Sequence, residues 1–225
     1  MFKNIRGVIF DLDGTLVDSM WVWSKIDQDF IESRSLSITP EELMNVVAHF
    51  SFHQTAHYFK DTFSLPESVD EIKALWIDAA HREYSTSVTL KAGAREFLLR
   101  LKELGIKLAL ATSNNRDLLE VCLQANGILG LFDALVTTDE SRAKTKAEPD
   151  VFLLAAQRIG VSPQECMVFE DVAPAMRGAR AAGMRVVGIK DRHTSLPEGD
   201  EALAERFLED FQSLLFEESL RLPER

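Results

Sequence analysis

A set of polar residues stands out by type and spacing. Asp11 and Asp13 flank one leucine at the end of the apolar run 7–10, and Thr112, Ser113 and Asn114 close the run 106–112. Lys146 precedes Pro149 in "KAEPD", and Glu170 and Asp171 follow the run 166–169. In open α/β sheets ligands collect beyond the carboxyl ends of the strands, so these residues are expected to converge. Carboxylates brought together repel one another and are costly to bury unless a cation holds them. An oxygen-only donor set selects a hard ion. Mg²⁺ takes few protein carboxylates and leaves its other positions to water and phosphate oxygens. Thr112, the backbone N–H groups behind it and Lys146 form a complementary anion site. The chemistry implied is phosphoryl transfer, in which a metal and a lysine reduce the repulsion between an anionic nucleophile and an anionic phosphate. Asp13 lies two residues from Asp11, on the same side of an extended segment, which suits paired work by the two carboxyl groups. Gly14 permits a tight turn, and Thr15 can tie the loop down.

Short apolar runs at 7–10, 106–112, 133–138, 166–169 and 185–189 read as strands covered on both faces, as in a parallel sheet. Amphipathic helices separate them. One carries Ala94, Phe97, Leu98, Leu101 and Leu104 and stops at Gly105; one carries Leu118, Val121, Cys122 and Ala125; one runs from Pro149 to Gly160 and carries Phe152, Ala155, Ala156 and Ile159. This alternation predicts an α/β domain with right-handed crossovers. The gap between the first run and the second is far longer than one crossover, and the surplus at 17–88 reads as four helices. The first carries Trp23, Ile26 and Phe30. The second opens with a Thr39–Glu42 capping box and buries Leu43, Val46, Val47 and Phe50. The third carries Phe52, Ala56, Phe59 and Phe63. The fourth opens with a Ser68–Glu71 box and buries Val69, Ile72, Leu75, Trp76 and Ala79. A helical insert that leaves directly behind the two aspartates is expected to act as a lid.

The 225 residues, 46% of them hydrophobic, are enough for one large domain or a domain with an insert. A net charge of −11 argues against a general nucleic-acid or anionic-membrane partner and leaves room for a local anion pocket. Cys122 and Cys166 sit in apolar runs and are expected to be core thiols. No run reaches the length of a membrane span or a signal peptide, which predicts a cytoplasmic protein. A monomer is the default expectation.

The segments "DLDGTLVDS", "ATSN", "KAEPD" and "EDVAPAMRGARAAGM" resemble, in order and spacing, the four motifs of the haloacid dehalogenase-like hydrolases. They are similar to the helical-cap branch that holds sugar-phosphate phosphatases and β-phosphoglucomutase. The resemblance implies a Rossmann-like three-layer core with a parallel sheet, formed by 1–16 and 89–225, and an all-helical cap subdomain at 17–88. It implies a phosphatase acting on a small phosphorylated metabolite, a sugar or polyol phosphate. Asp11 would be the nucleophile that forms an aspartyl-phosphate, and Asp13 the general acid/base. Thr112, Ser113, Asn114 and Lys146 would bind the phosphoryl group. Asp11, the backbone carbonyl of Asp13, and Asp171 would hold Mg²⁺, with Glu170 beside it as a further ligand or a supporting acid. In related enzymes the turn at 49–54 carries specificity, which makes Phe52 and His53 candidates for substrate contact; Trp23, just after the opening motif, is expected either in the cap core or stacked on a substrate.

Some positions depart from the family pattern. Lys146 is followed by Ala147 where proline is common, and Val172 and Ala175 stand where serine and glycine are common. These changes are expected to tune the site. β-Phosphoglucomutase-like enzymes carry a cap histidine where this chain has Trp23, which favours the phosphatase over the mutase. A binding module on a retired enzyme fold is a further alternative, opposed by the intact Asp11, Asp13, Lys146 and Asp171. His49, His53 and His57 recur every four residues and would form a metal face on one continuous helix, but Ser51 and Phe52 are expected to interrupt it.

Overall fold

The run Gly7–Phe10 forms β1, with all four residues buried, which is the environment its unbroken apolarity requires. The computed structural model describes residues 1–47, 50, 52–141, 143–194 and 198–217. After β1 come β2 (Val17–Asp18) and the helices α1 (Trp21–Ser33), α2 (Pro40–Val47), α3 (Phe52–Phe63) and α4 (Val69–Thr86). Next are β3 (Thr89–Leu90), α5 (Ala94–Glu103), β4 (Lys107–Thr112), α6 (Arg116–Ala125), β5 (Ala134–Thr137) and the single turn α7 (Thr138–Ser141). The chain continues through α8 (Asp150–Ile159), β6 (Cys166–Glu170), α9 (Ala173–Ala181), β7 (Arg185–Ile189) and β8 (Phe207–Leu208). Two compact units result, Met1–Ser19 with Val88–Arg225, and Met20–Ser87.

The first unit is built on a six-stranded sheet in the order β5-β4-β1-β6-β7-β8, with every pairing parallel. The chain fills one side of β1 and then the other, so the point where strand order reverses lies at the C-terminal end of β1. Alternation along the strands sorts the core into two layers. Ile9, Ala109, Ala111 and Val168 pack with Val151, Phe152 and Ala155 of α8 and with Met176 and Ala179 of α9. Phe10 projects to the opposite face, stacked on Phe169 with ring centroids 5.1 Å apart, and Phe97 of α5 stacks there on Phe211. The α/β class and the inserted helices are as the sequence leads one to expect. The short β2–β3 pair and the edge strand β8 are additions that two-residue segments could not announce. Within α6 the buried face is Leu118, Leu119, Cys122 and Leu123, so Val121 and Ala125 are turned further toward solvent than their spacing suggested. Both cysteines are free and buried, and burial pushes their thiols up, Cys122 to about 12 and Cys166 to about 11.

The second unit holds the four helices. Both expected capping boxes are present: Thr39 and Glu42 bond reciprocally, and so do Ser68 and Glu71. Its core is aromatic, with Phe30, Phe59 and Trp76 meeting edge to face at centroid distances of 5.3–5.4 Å. The buried ladder of α4 is Ile72, Trp76, Ala80 and Tyr84, a strict four-residue step that leaves Leu75 exposed and Ala79 half-buried. In α2 only Leu43 is deeply buried among the apolar residues assigned to its face, while Val46 and Phe50 are exposed. For Phe50 the reason is length, since it lies beyond α2, which runs Pro40–Val47; nothing in the structure explains the exposure of Val46. Trp23 also lies partly in solvent, edge-on to the exposed Phe52 at 5.7 Å. Among the described residues no helix is long and apolar enough to cross a membrane.

Candidate active site

The site forms where β4, β1 and β6 end side by side. Asp11 is the first residue past β1, and its N–H donates to the Phe169 carbonyl at 3.0 Å. Behind it the chain folds back sharply: Leu16 and Val17 N–H both donate to the Leu12 carbonyl, and Gly14 takes φ 81°, a left-handed conformation that glycine adopts without steric cost. Thr112 is the last residue of β4, Glu170 the last of β6, and Asp171 the next.

Lys146 enters from the segment between α7 and α8 and joins two of these carboxylates. Its Nζ donates to Asp11 Oδ1 at 2.6 Å and to Glu170 Oε2 at 2.5 Å. Glu170 is 0% exposed, and its other oxygen accepts from the N–H groups of Asp171 and Val172. Glu170 is therefore fully engaged with the lysine and with the chain that carries Asp171. Thr15, expected to tie down its loop, does so through Asp171, donating to Oδ1 at 3.1 Å.

Asp11, Glu170 and Asp171 each present an oxygen within 4.8 Å of the others. Asp171 Oδ2 is buried with no hydrogen-bond partner among the described residues. A buried, unpartnered carboxylate oxygen in a three-carboxylate cluster fits a hard divalent cation, and the donor set is the one expected for Mg²⁺. Burial, and next the charge of Glu170, raise the Asp11 carboxyl to about 7 against the pull of Lys146. Burial and the charges of Asp11 and Glu170 raise Asp171 to about 9. Burial alone would lower the Lys146 ammonium, but Asp11 and Glu170 outweigh it and hold it above the ordinary lysine range. Fully ionised, the three carboxylates would carry more negative charge than one lysine balances, which is why two of them hold their protons so tightly without a further cation.

The Asp13 carboxylate is held by a different pair of side chains. Ser19 Oγ donates to Oδ1 at 2.6 Å and Asn114 Nδ2 donates to Oδ2 at 3.0 Å. Asn114, expected at the phosphate, thus directs its amide to Asp13, and its backbone N–H donates to Thr112 Oγ1 at 3.0 Å. Ser113 is exposed beside them. Ser19 was not foreseen as a site residue; its only signal in the sequence is a hydroxyl at the end of "DLDGTLVDS". In the helical unit, Phe52, His53 and His57 lie exposed on α3, the two imidazoles edge to face at 4.7 Å. The start of α3 at Phe52 matches the expected interruption, while His49 and Ser51 lie outside the described residues.

A family model described as haloacid dehalogenase-like hydrolase matches residues 8–189. The chain is 32% identical over 186 residues to hexitol phosphatase A of Escherichia coli (strain K12), covering 82% of each. It is 30% identical over 209 residues to validoxylamine A 7'-phosphate phosphatase of Streptomyces hygroscopicus subsp. limoneus, covering 88% of this chain and 89% of the relative. Its fold matches that of a HAD family hydrolase from Deinococcus radiodurans R1, solved with bound phosphate and sodium, at a TM-score of 0.72 and 26% identity, covering 98% and 99% of the two chains.

Proposed function

The chain belongs to the haloacid dehalogenase-like hydrolases, and we propose that it is a Mg²⁺-dependent phosphatase of a small phosphorylated metabolite, a sugar or polyol phosphate. The observation that carries this reading is the buried cluster of Asp11, Glu170 and Asp171 bridged by Lys146, with one Asp171 oxygen left over. The substrate class is supported by the hexitol and validoxylamine phosphate phosphatases among its relatives.

Asp11, Asp171 and the Asp13 carbonyl would hold Mg²⁺, and Glu170 would hold Lys146 and the Asp171 backbone in place. When bound, the ion supplies positive charge that offsets repulsion between carboxylate and phosphate and stabilises the transition state. The Asp11 carboxylate attacks phosphorus, and the bond from phosphorus to the substrate oxygen breaks. Asp13 gives its proton to that leaving oxygen and regains one from the water that then cleaves the aspartyl-phosphate, so each turnover consumes one water. Ser19 and Asn114 orient the Asp13 carboxyl through its two oxygens. Lys146 and Thr112 bind the non-bridging phosphoryl oxygens. Splitting one displacement between anions into two steps at a fixed carboxylate is the source of the advantage.

A panel of phosphorylated sugars and polyols, assayed for phosphate release with Mg²⁺, tests the reading. Turnover should vanish with a chelator and in Asp11→Asn. A folded wild-type protein that is inert on the whole panel, or an Asp11→Asn variant that keeps its activity, would refute it.

A further inference from the structure

We propose that Gly178 is a positioning residue for Lys146: the missing side chain in α9 is the seat that lets the lysine loop approach closely enough to deliver its ammonium to Asp11. A glycine inside a helix is unfavourable relative to alanine, so Gly178, well inside α9, calls for a reason. Its backbone is helical, and left-handed freedom is therefore not that reason. The reason is space. A Cβ placed on Gly178 would lie 2.1 Å from the Lys146 carbonyl oxygen, 2.9 Å from the Glu148 carbonyl oxygen and 3.1 Å from the Ala147 carbonyl carbon. All three are main-chain atoms, so no side-chain rotation can relieve the overlap.

The loop is also tied to itself. Ala147 N–H donates to Thr145 Oγ1, Glu148 N–H to the Thr145 carbonyl, and Lys144 N–H to the Glu148 carboxylate, each at 3.2 Å. Pushed from below, such a loop moves as a piece. Position 147 is alanine, so no proline ring fixes the backbone directly after Lys146, and contact with α9 sets the height of the loop there. Restoring van der Waals distance at Gly178 would lift Lys146 by about 1 Å. That is enough to break the bonds of 2.6 and 2.5 Å that its ammonium makes with Asp11 and Glu170.

The functional consequence rests on the role proposed for Lys146, whereas the displacement does not, so the two are measured separately. Crystal structures of wild type and Gly178→Ala should show the Lys146 carbonyl displaced, and an undisplaced loop overturns the proposal. In steady-state assays Gly178→Ala should lower kcat/KM roughly 100-fold, the scale of an ångström misplacement at a reacting centre. In a Lys146→Ala background the same substitution should cost almost nothing more, because a residue acting through Lys146 has nothing left to position. Full additivity, or wild-type kcat/KM in folded Gly178→Ala, overturns the proposal. Wild-type turnover in Lys146→Ala would instead sink the role assigned to the lysine and leave the crystallographic test of the seat standing. Should Gly178→Ala fail to fold, Gly178→Ala with Ala147→Gly gives the loop slack. That variant should fold with reduced kcat/KM, and full activity in it is equally fatal.

Discussion

The two units of this protein solve opposite packing problems. The sheet unit buries charge: Asp11, Lys146, Glu170 and Asp171 are all less than 8% exposed, and each has a specific partner or an oxygen set toward its neighbours. The helical unit buries rings, with Phe30, Phe59 and Trp76 at its centre and its ion pairs, such as Lys25–Asp29 and Lys73–Asp70, near the surface. Buried charge tolerates little variation, because each ion must meet its counter-ion at hydrogen-bonding distance or bear the full desolvation cost. A ring cluster tolerates much more, since volume and an apolar surface are most of what it needs. Chemistry is therefore written into the first unit residue by residue. The second exposes Trp23, Phe50 and Phe52 without committing them to a role.

That contrast can be broken or sharpened by experiment. The largest effect should come from Asp11→Asn, which removes the nucleophile and should lower kcat by a factor on the order of 10⁴ or more with the fold intact by circular dichroism. Lys146→Met should damage both activity and stability. It leaves Asp11 and Glu170 buried without their cation, at about 3–5 kcal/mol in urea unfolding at neutral pH. Phe59→Ala, fully buried in the ring cluster, should cost a similar 3–5 kcal/mol while the surviving folded fraction keeps its kcat. A large kcat loss there would erase the distinction between the units. A test of a different kind is the pH dependence of the metal-free protein. Asp11 and Asp171 keep a proton in the folded state that the unfolded chain loses near 3.8, so stability should fall as pH rises above about 4, the Asp11 contribution being lost by about 7 and that of Asp171 by about 9. Mg²⁺ should oppose that fall, which thermal melts with and without the ion would detect. The smallest is Ser68→Ala, which removes one half of a capping box and should cost about 1 kcal/mol, read as a shift in melting temperature alone.

Much of this was legible in the residues themselves. The sheet strands could be read from unbroken apolar runs, the two helix starts from Thr39–Glu42 and Ser68–Glu71, and the insert from the long gap after the first run. Faces on short helices were less legible: α2 ends before its stripe can turn Phe50 inward, and α4 selects Ala80 and Tyr84 where periodicity alone also allowed Leu75. At the site, the acidic residues and Lys146 are named by their motifs, but their partners are not. Nothing in the order of residues says that Asn114 and Ser19 hold Asp13, or that Thr15 donates to Asp171.

By itself the sequence determined the α/β class, the helical insert, the family and the polar residues at the strand ends, because these follow from local periodicity and from residue types that few environments accept. Only the tertiary structure decided which carboxylate Lys146 bridges to which, which oxygen of Asp171 has no partner among the described residues, and why α9 carries a glycine beneath the lysine loop. Those are distances between segments far apart in the chain. They are set by how the sheet and its helices pack, and no local pattern encodes them.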